Sequence, residues 1–252
     1  MLSSFLYLPL TEAMPRILSK EAILDLGGRK VVVSFVRNRM ARRIIMRLHQ
    51  DPKSGEDGIV VTLPIHSSFQ EGLNFVNEKS VWVLKRLESL TPRVIFADGA
   101  VVPLRGVEHI IRHTSVRRGL VKVENKQVFV SCGAEHLERR VRDWLKGEAR
   151  DCIKIKVLEK AAVLGCKPGR ISIRDTKSRW GSCSFSGNLS FSWRLVMAPE
   201  IILDYVVAHE VSHLVEHNHG PEFWNLVECL TEDVAASRDW LKKYGEELHR
   251  IG

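Results

Sequence analysis

The hydrophobic pattern changes character about halfway along the chain. Arg29–Val36 (RKVVVSFV) is a β-branched apolar run, and Arg43–Leu48 alternates in part. DPKSGEDG at 51–58 is a turn by its proline, glycine and aspartate content, and IVVTLP follows as a strand ended by Pro64. Phe69, Leu73, Val76, Val83, Leu84 and Leu87 then recur at helical spacing, between a capping serine (Ser67 or Ser68) and Pro92. This predicts one helix of about five turns packed on the sheet. From Val94 to Val130 short apolar stretches alternate with the turn signals ADGA, RRGL and VENKQ, which predicts two or three hairpins.

After Cys132-Gly133 the period becomes helical. AEHLERRVRDWLKGEARDCIKIKVLEKAAVLG places Leu137, Val141, Trp144, Leu145, Ile153, Val157 and Leu158 on one side, with Gly147 as a weak point and Gly165 as a C-terminal cap. Three short strands follow, RISIRD, RWGSCSF and LSFSWRL, the last two joined by a turn at Ser186-Gly187-Asn188. Pro199 sits where a first helical turn tolerates proline, EIILDYVVAHEVSHLVEHN is helical, and DVAASRDWLKKYGEELHR is a final helix. The expected class is α+β. A tail at 1–19 precedes a β-rich domain with one long helix at 20–133 and a second domain at 134–252.

Composition narrows the setting. The chain has 252 residues, 44% hydrophobic and 27% charged, enough for one large domain or two small ones. A net charge of +8 favours anionic partners such as nucleic acid, nucleotides, acidic peptides or a membrane surface, without choosing among them. Five cysteines without a CxxC pair argue against a disulfide framework or a cysteine-only zinc ribbon, and for a reducing compartment. No apolar run reaches the ~20 residues that span a membrane. MLSSFLYLPLTEAMPR has an apolar patch, but no basic residue before it and no small-residue cleavage site. It reads as a tail, with Met14 as an alternative start, and the expected location is cytoplasmic.

The chemistry concentrates in HEVSHLVEHNHGPEFW, His209 to Trp224. His209 and His213, four apart on a helix, face the same way one turn apart and can share a tetrahedral zinc ion. Glu210 lies off that row but close enough to act as general base toward a zinc-activated water. On a straight helix His217 would lie ~12 Å beyond His209, too far to share one ion, and Glu216 fails for the same reason. Asn218 and Gly220-Pro221 stop the helix, so a turn can bring His219 back as the third ligand. The rival is a glutamate on the following helix, Glu228 or Glu232. His217 is then a solvated histidine that suits the helix end.

SRWGSC (178–183), NLSFSWRLVMAP (188–199) and HEVSHLVEHNHGPEFW (209–224) together resemble the YgjP-like (DUF45) metal-dependent hydrolases, grouped with M48-type metallopeptidases and near the SprT and WLM proteases. VRNRMARRIIMRL and the FADG-x-x-x-PLRG stretch at 96–106 match more loosely. The resemblance implies a zincin-like catalytic domain on an HExxH helix, one zinc ion, and His209, Glu210, His213 and His219 at the positions of the family pattern. Ser192 stands where an asparagine is usual, Val211 for a leucine and Gly220 for a serine. None of these removes a ligand or the base, although the change at Ser192 bears on substrate contacts. No C-terminal zinc ribbon of the kind found in some SprT relatives is present.

SRWGSC carries two readings. As structure, it is a strand whose glycine permits close backbone approach. As function, its edge could hold an extended substrate, with Arg179 stabilising an oxyanion or phosphate and Trp180 contributing contacts. Trp180, Trp193 and Trp224 also suit the core, as Cys183 suits a small buried residue. Three functions fit: a zinc peptidase acting on peptides or proteins; a metal-dependent hydrolase of a phosphoanhydride such as a nucleoside triphosphate, with Arg174, Lys177 and Arg179 ahead of the site; or a basic module (Arg37, Arg39, Arg42, Arg43, Arg47) that binds nucleic acid or an acidic partner and delivers the hydrolase. No specific nucleic-acid motif supports the last, and those arginines also suit a protected strand edge.

Overall fold

A computed structural model describes residues 17–50, 57–115 and 121–252. The expected RRGL turn, most of the turn at 51–58 and nearly all of the tail lie outside the described residues. The chain divides into two compact units, Met1–Leu90 and Thr91–Gly252. Helices and sheets are both present in each, in line with the α+β class.

In the first unit β1 (Ile17–Leu26), β2 (Arg29–Arg37), β3 (Ile45–Gln50) and β4 (Asp57–Leu63) form a sheet of order β1-β2-β4-β3. β2 and β4 run parallel and the outer pairs antiparallel. Strand β1 begins inside the segment expected as a tail. It joins β2 through Gly27-Gly28, both at positive φ, as a two-residue hairpin turn requires. Val31, Val33 and Phe35 alternate inward and meet Ile59, Val61 and Leu63 in one core.

The expected single helix is two, α1 (Phe69–Glu78) and α2 (Ser80–Glu88), separated at Lys79. Ser68 caps α1 reciprocally with Glu71. Val76 and Val83, seven apart, stay in phase across the break and both face the core, so the apolar period does not register it.

In the second unit β5 (Val101–Leu104), β6 (Val107–Thr114), β7 (Lys122–Glu124) and β8 (Gln127–Ser131) form a sheet of order β5-β6-β8-β7. Its two hairpins turn at Arg105-Gly106 and Asn125-Lys126, each with positive φ at both residues. Helix α3 (Leu137–Val163) follows and runs through Gly147 without a break. It buries every fourth residue from Leu137 to Ala161, while Leu158, expected inside, is 49% exposed. Gly165, at φ 64°, closes it with paired bonds from Gly165 N–H to Ala162 O and Cys166 N–H to Ala161 O.

Strands β9 (Ile171–Arg174), β10 (Gly181–Cys183) and β11 (Leu189–Ser192) make a second sheet of order β10-β11-β9, followed by α4 (Glu200–Ser212), α5 (Pro221–Leu230) and α6 (Val234–Leu248).

The division at 90/91 differs from the boundary expected at 133. Val102, Ile111, Val128 and Val130 share one buried cluster with Val141, Leu145, Phe191 and Val207, so the sheet at 101–131 is packed with the helices that follow it. The LSFSWRL strand also stops early, at Ser192, and Trp193–Met197 form a 3-10 turn. Ser192 is fully buried and its hydroxyl accepts the Arg194 N–H, so this departure from the family pattern serves the turn. The buried Arg194 guanidinium donates to Asp175 and to the carbonyls of Leu248, Ile251 and Gly252, which ties the turn to the end of α6. The tip of the β5–β6 hairpin docks on the same turn, with Arg105 N–H on Val196 O at 2.7 Å. A Cβ on Gly106 would lie 2.9 Å from Pro199 Cα, so glycine is what allows this approach to the start of α4. Among the described residues no helix is long and apolar enough to cross a membrane.

Candidate active site

Helix α4 is apolar nearly all round, with Ile202, Leu203, Val206, Val207, Ala208 and Val211 among its buried residues. A helix of that kind is held from every side, which makes it a rigid carrier. Asp204 adds a polar anchor, accepting from Lys156 at 3.2 Å, Lys160 at 2.9 Å and Thr231 at 2.8 Å. Burial raises the Asp204 pKa, but the bonds from Lys160 and Thr231 outweigh it and hold the carboxyl below its usual range.

The helix ends at Ser212, six residues before the expected stop at Asn218. The Ser212 hydroxyl donates back to Ala208 O at 2.8 Å, and Leu214 and Val215 N–H bond three residues back, tightening the last turn. His213 therefore caps the helix, and 214–220 return as a loop to Pro221, the first residue of α5. His217 sits in that loop rather than at a helix end, its ring 4.8 Å from Phe185.

The return brings three histidines together. One ring nitrogen from each of His209, His213 and His219 lies within 4.8 Å of the others, and the Nε2 atoms of His209 and His219 are 3.2 Å apart. The exposed Glu228 and Glu232, rivals for the third position, are not in this group. Phe223 is the platform beneath it: fully buried, with its ring 4.9, 4.5 and 4.7 Å from those of His209, His213 and His219. Trp224 lies further out, 5.9 Å from His209 and 6.0 Å from His219.

The donor set fits a zinc ion. At a Zn–N distance of about 2.05 Å, adjacent tetrahedral nitrogens stand roughly 3.3 Å apart, close to the observed pair. His213 Nδ1 is 3.0 Å from Glu216 O, which assigns the proton to Nδ1 and leaves Nε2 with a free lone pair. The Glu216 carboxylate is taken by the Asn218 N–H at 2.8 Å. His209 is pushed down to about 3, by burial first and then by the charges of His213, His219 and Arg238. Burial also lowers His213 and His219. All three are thus neutral imidazoles near pH 7, the form that binds a metal.

Glu210 is buried, and burial pushes its carboxyl up to about 8 against the opposing charge of Arg179. Strand β10 backs it closely: a Cβ on Gly181 would fall 2.6 Å from Glu210 Oε1. The close approach expected of the SRWGSC glycine is therefore made to a side chain. Trp180, a substrate candidate, is stacked on His249 at 4.7 Å and packs on Gly245 of α6, so its ring is used in packing. Arg179 is partly exposed beside Glu210. The Cys183 thiol is pushed up to about 11, by burial and then by Glu210, and is not a thiolate near neutrality. Phe223 is a neighbour of the histidine group that the sequence patterns did not single out. HGPEF, with a proline opening a helix two residues ahead of an aromatic, was the available signal for Phe223.

No curated protein matches the chain. Among solved structures, the metallopeptidase zymogen abylysin of Pyrococcus abyssi is similar at 21% identity, covering 39% of this chain and 97% of that one with a TM-score of 0.34. The model of the YgjP-like metallopeptidase domain matches residues 46–244, which include every residue of the histidine group and Glu210, and the chain belongs to the YgjP-like family.

Proposed function

We propose that this metal-dependent hydrolase is a zinc peptidase of the zincin type, with His209, His213 and His219 as ligands and Glu210 as general base. The observation that carries the reading is the convergence of three neutral imidazoles beside a buried carboxyl. Zinc held there would supply a Lewis acid and a water acidified to a pKa near ~7. Glu210 takes the proton of the attacking water and passes it to the leaving amine. Burial outweighs Arg179 and keeps the Glu210 carboxyl mostly protonated near pH 7 without metal; the charge of a zinc ion held beside it would lower its pKa toward the carboxylate that this role needs, and Gly181 leaves room for it. β10 is one of the two outer strands of its sheet and has no strand partner on its other side among the described residues, which suits pairing with an extended peptide.

The test is a Glu210→Gln variant assayed on a peptide library and a nucleotide panel. It should keep one zinc per chain and lose peptide hydrolysis. Unchanged turnover would remove Glu210 from the mechanism. Glu210-dependent hydrolysis of nucleoside triphosphates without peptide cleavage would replace the peptide assignment by the phosphoanhydride one.

The first unit supports a second reading, a polyanion contact. Residues 26–50 contain Arg29, Lys30, Arg37, Arg39, Arg42, Arg43 and Arg47 and no acidic residue, and Arg39, Arg42, Arg43 and Arg47 are exposed. Nucleic-acid binding that falls steeply with salt, and whose slope drops in an Arg42→Gln/Arg43→Gln variant, is the expected result. Salt-independent binding, or none, overturns it.

A further inference from the structure

Arg238 is an exposed cation that the mechanism above does not use. It stands on α6, with its guanidinium carbon 4.8 Å from the centre of the Trp224 ring. That ring is itself 6.0 Å from His219 and 5.9 Å from His209. Arg238 is thus placed at the rim of the histidine group through a single aromatic spacer. Its charge reaches both His209 and His219.

The manner in which it is held matters. A guanidinium held over an aromatic ring by its charge does not use its N–H groups as hydrogen-bond donors in that contact. Among the described residues Arg238 makes no hydrogen bond or ion pair. Neither Glu210, buried behind Gly181, nor Glu216, engaged by the Asn218 N–H, is paired with it. A planar fork of donors, held over the Trp224 ring and exposed to solvent at the rim of the histidine group, matches the two oxygens of a carboxylate.

We propose that Arg238, positioned by Trp224, forms an anion subsite that selects peptides carrying a carboxylate close to the scissile bond. This rests on the peptidase reading of the histidine site and names its substrate class. Arg238 binds substrate here and takes no part in proton transfer.

The experiment compares paired peptides that differ only as Glu against Gln, or Asp against Asn, at each position flanking the cleaved bond. In the zinc-loaded wild type, kcat/KM should favour the acidic member about tenfold or more at one position. Arg238→Gln should bring that ratio to near one, Arg238→Glu should invert it, and Arg238→Lys, which keeps charge but loses the fork, should fall between. A wild-type ratio near one, or a ratio unchanged in Arg238→Gln, overturns the subsite.

A second arm needs no turnover. In metal-free wild-type protein, the Arg238 Nε–Hε resonance should shift saturably with an N-acetylated, C-terminally amidated Glu-containing tripeptide and not with its Gln counterpart. Equal shifts, or a response to inorganic phosphate alone, overturn the peptide carboxylate. If the zinc-loaded protein cleaves no peptide while this resonance still discriminates Glu from Gln, the subsite stands and the peptidase reading fails.

Discussion

Gly181 lies against the carboxyl group of Glu210, so closely that a Cβ at position 181 would fall 2.5 Å from Glu210 Cγ. The contact joins a three-residue strand to the buried acid of α4 and explains why a glycine stands at the centre of SRWGSC. A Gly181→Ala variant has to displace either the strand or the carboxyl. Misplacing a catalytic group by about 1 Å costs on the order of 10²-fold in rate. We expect a loss of that size in kcat with zinc content unchanged. Wild-type kcat in Gly181→Ala would show that Glu210 does not act from this position.

Metal removal should loosen one segment and leave the helix. His209 belongs to α4 and His213 caps it, whereas His219 is exposed on the loop that leads to α5. A ligand that binds the folded state at 1,000 times its dissociation constant stabilises by about 4 kcal/mol. Zinc should therefore raise the melting temperature over that in chelator, and hydrogen exchange at 214–220 should speed up when zinc is removed while 202–208 stay protected. His219→Ala should lose most of the thermal shift. An equal zinc shift in that variant would exclude His219 as a ligand.

Arg194 gives the WRL block its structural meaning. The residue is 6% exposed; its guanidinium bonds Asp175 and the carbonyls of Leu248, Ile251 and Gly252 at and just beyond the end of α6, and lies over the Trp193 ring at 4.4 Å. Arg194→Met leaves the buried Leu248 carbonyl and the part-buried carbonyls of Ile251 and Gly252 without that donor, a loss of about 3 kcal/mol in urea unfolding. Arg194→Lys should recover part of it, because one ammonium cannot reach every partner. A variant as stable as wild type would mean that water replaces these bonds.

The sequence made the local chemistry legible. Two histidines four apart on a helix, a glutamate beside the first, and a chain stop before His219 are short-range patterns, and the structure brings those three histidines together. What it hid depends on distant partners. The end of α4 is set by the Ser212 hydroxyl bonding back to Ala208, which no stop signal at Asn218 reveals. The boundary at 90/91 follows from Val102 and Ile111 sharing a core with Val141 and Phe191, residues in elements far along the chain. Phe223 and Arg238 reach the site only because α5 and α6 fold back on α4 and Trp224. Trp180 suits both the core and substrate contact by sequence, and its stack on His249 favours packing.

That stack makes stability sensitive to acid. His249 is pushed down to about 4, by burial first and then by the charge of Arg194, with Asp175 opposing and Lys177 reinforcing. Its ordinary value is 6.5. Between those values the unfolded chain holds a proton on His249 that the folded chain does not, so stability is complete above pH 6.5 and is lost as pH falls toward 4. The slope from one such group is at most ~1.4 kcal/mol per pH unit, and less here because the ring is partly open to water and screened. The low value of His209 acts in the same direction, so the test has to be differential. In metal-free protein, urea midpoints at pH 7.5 and pH 5 should differ less for His249→Gln than for wild type, since a side chain that does not titrate removes its share of the slope. Equal pH sensitivity in the two proteins would show that His249 is protonated as readily folded as unfolded, and that its stack on Trp180 does not exclude the charge.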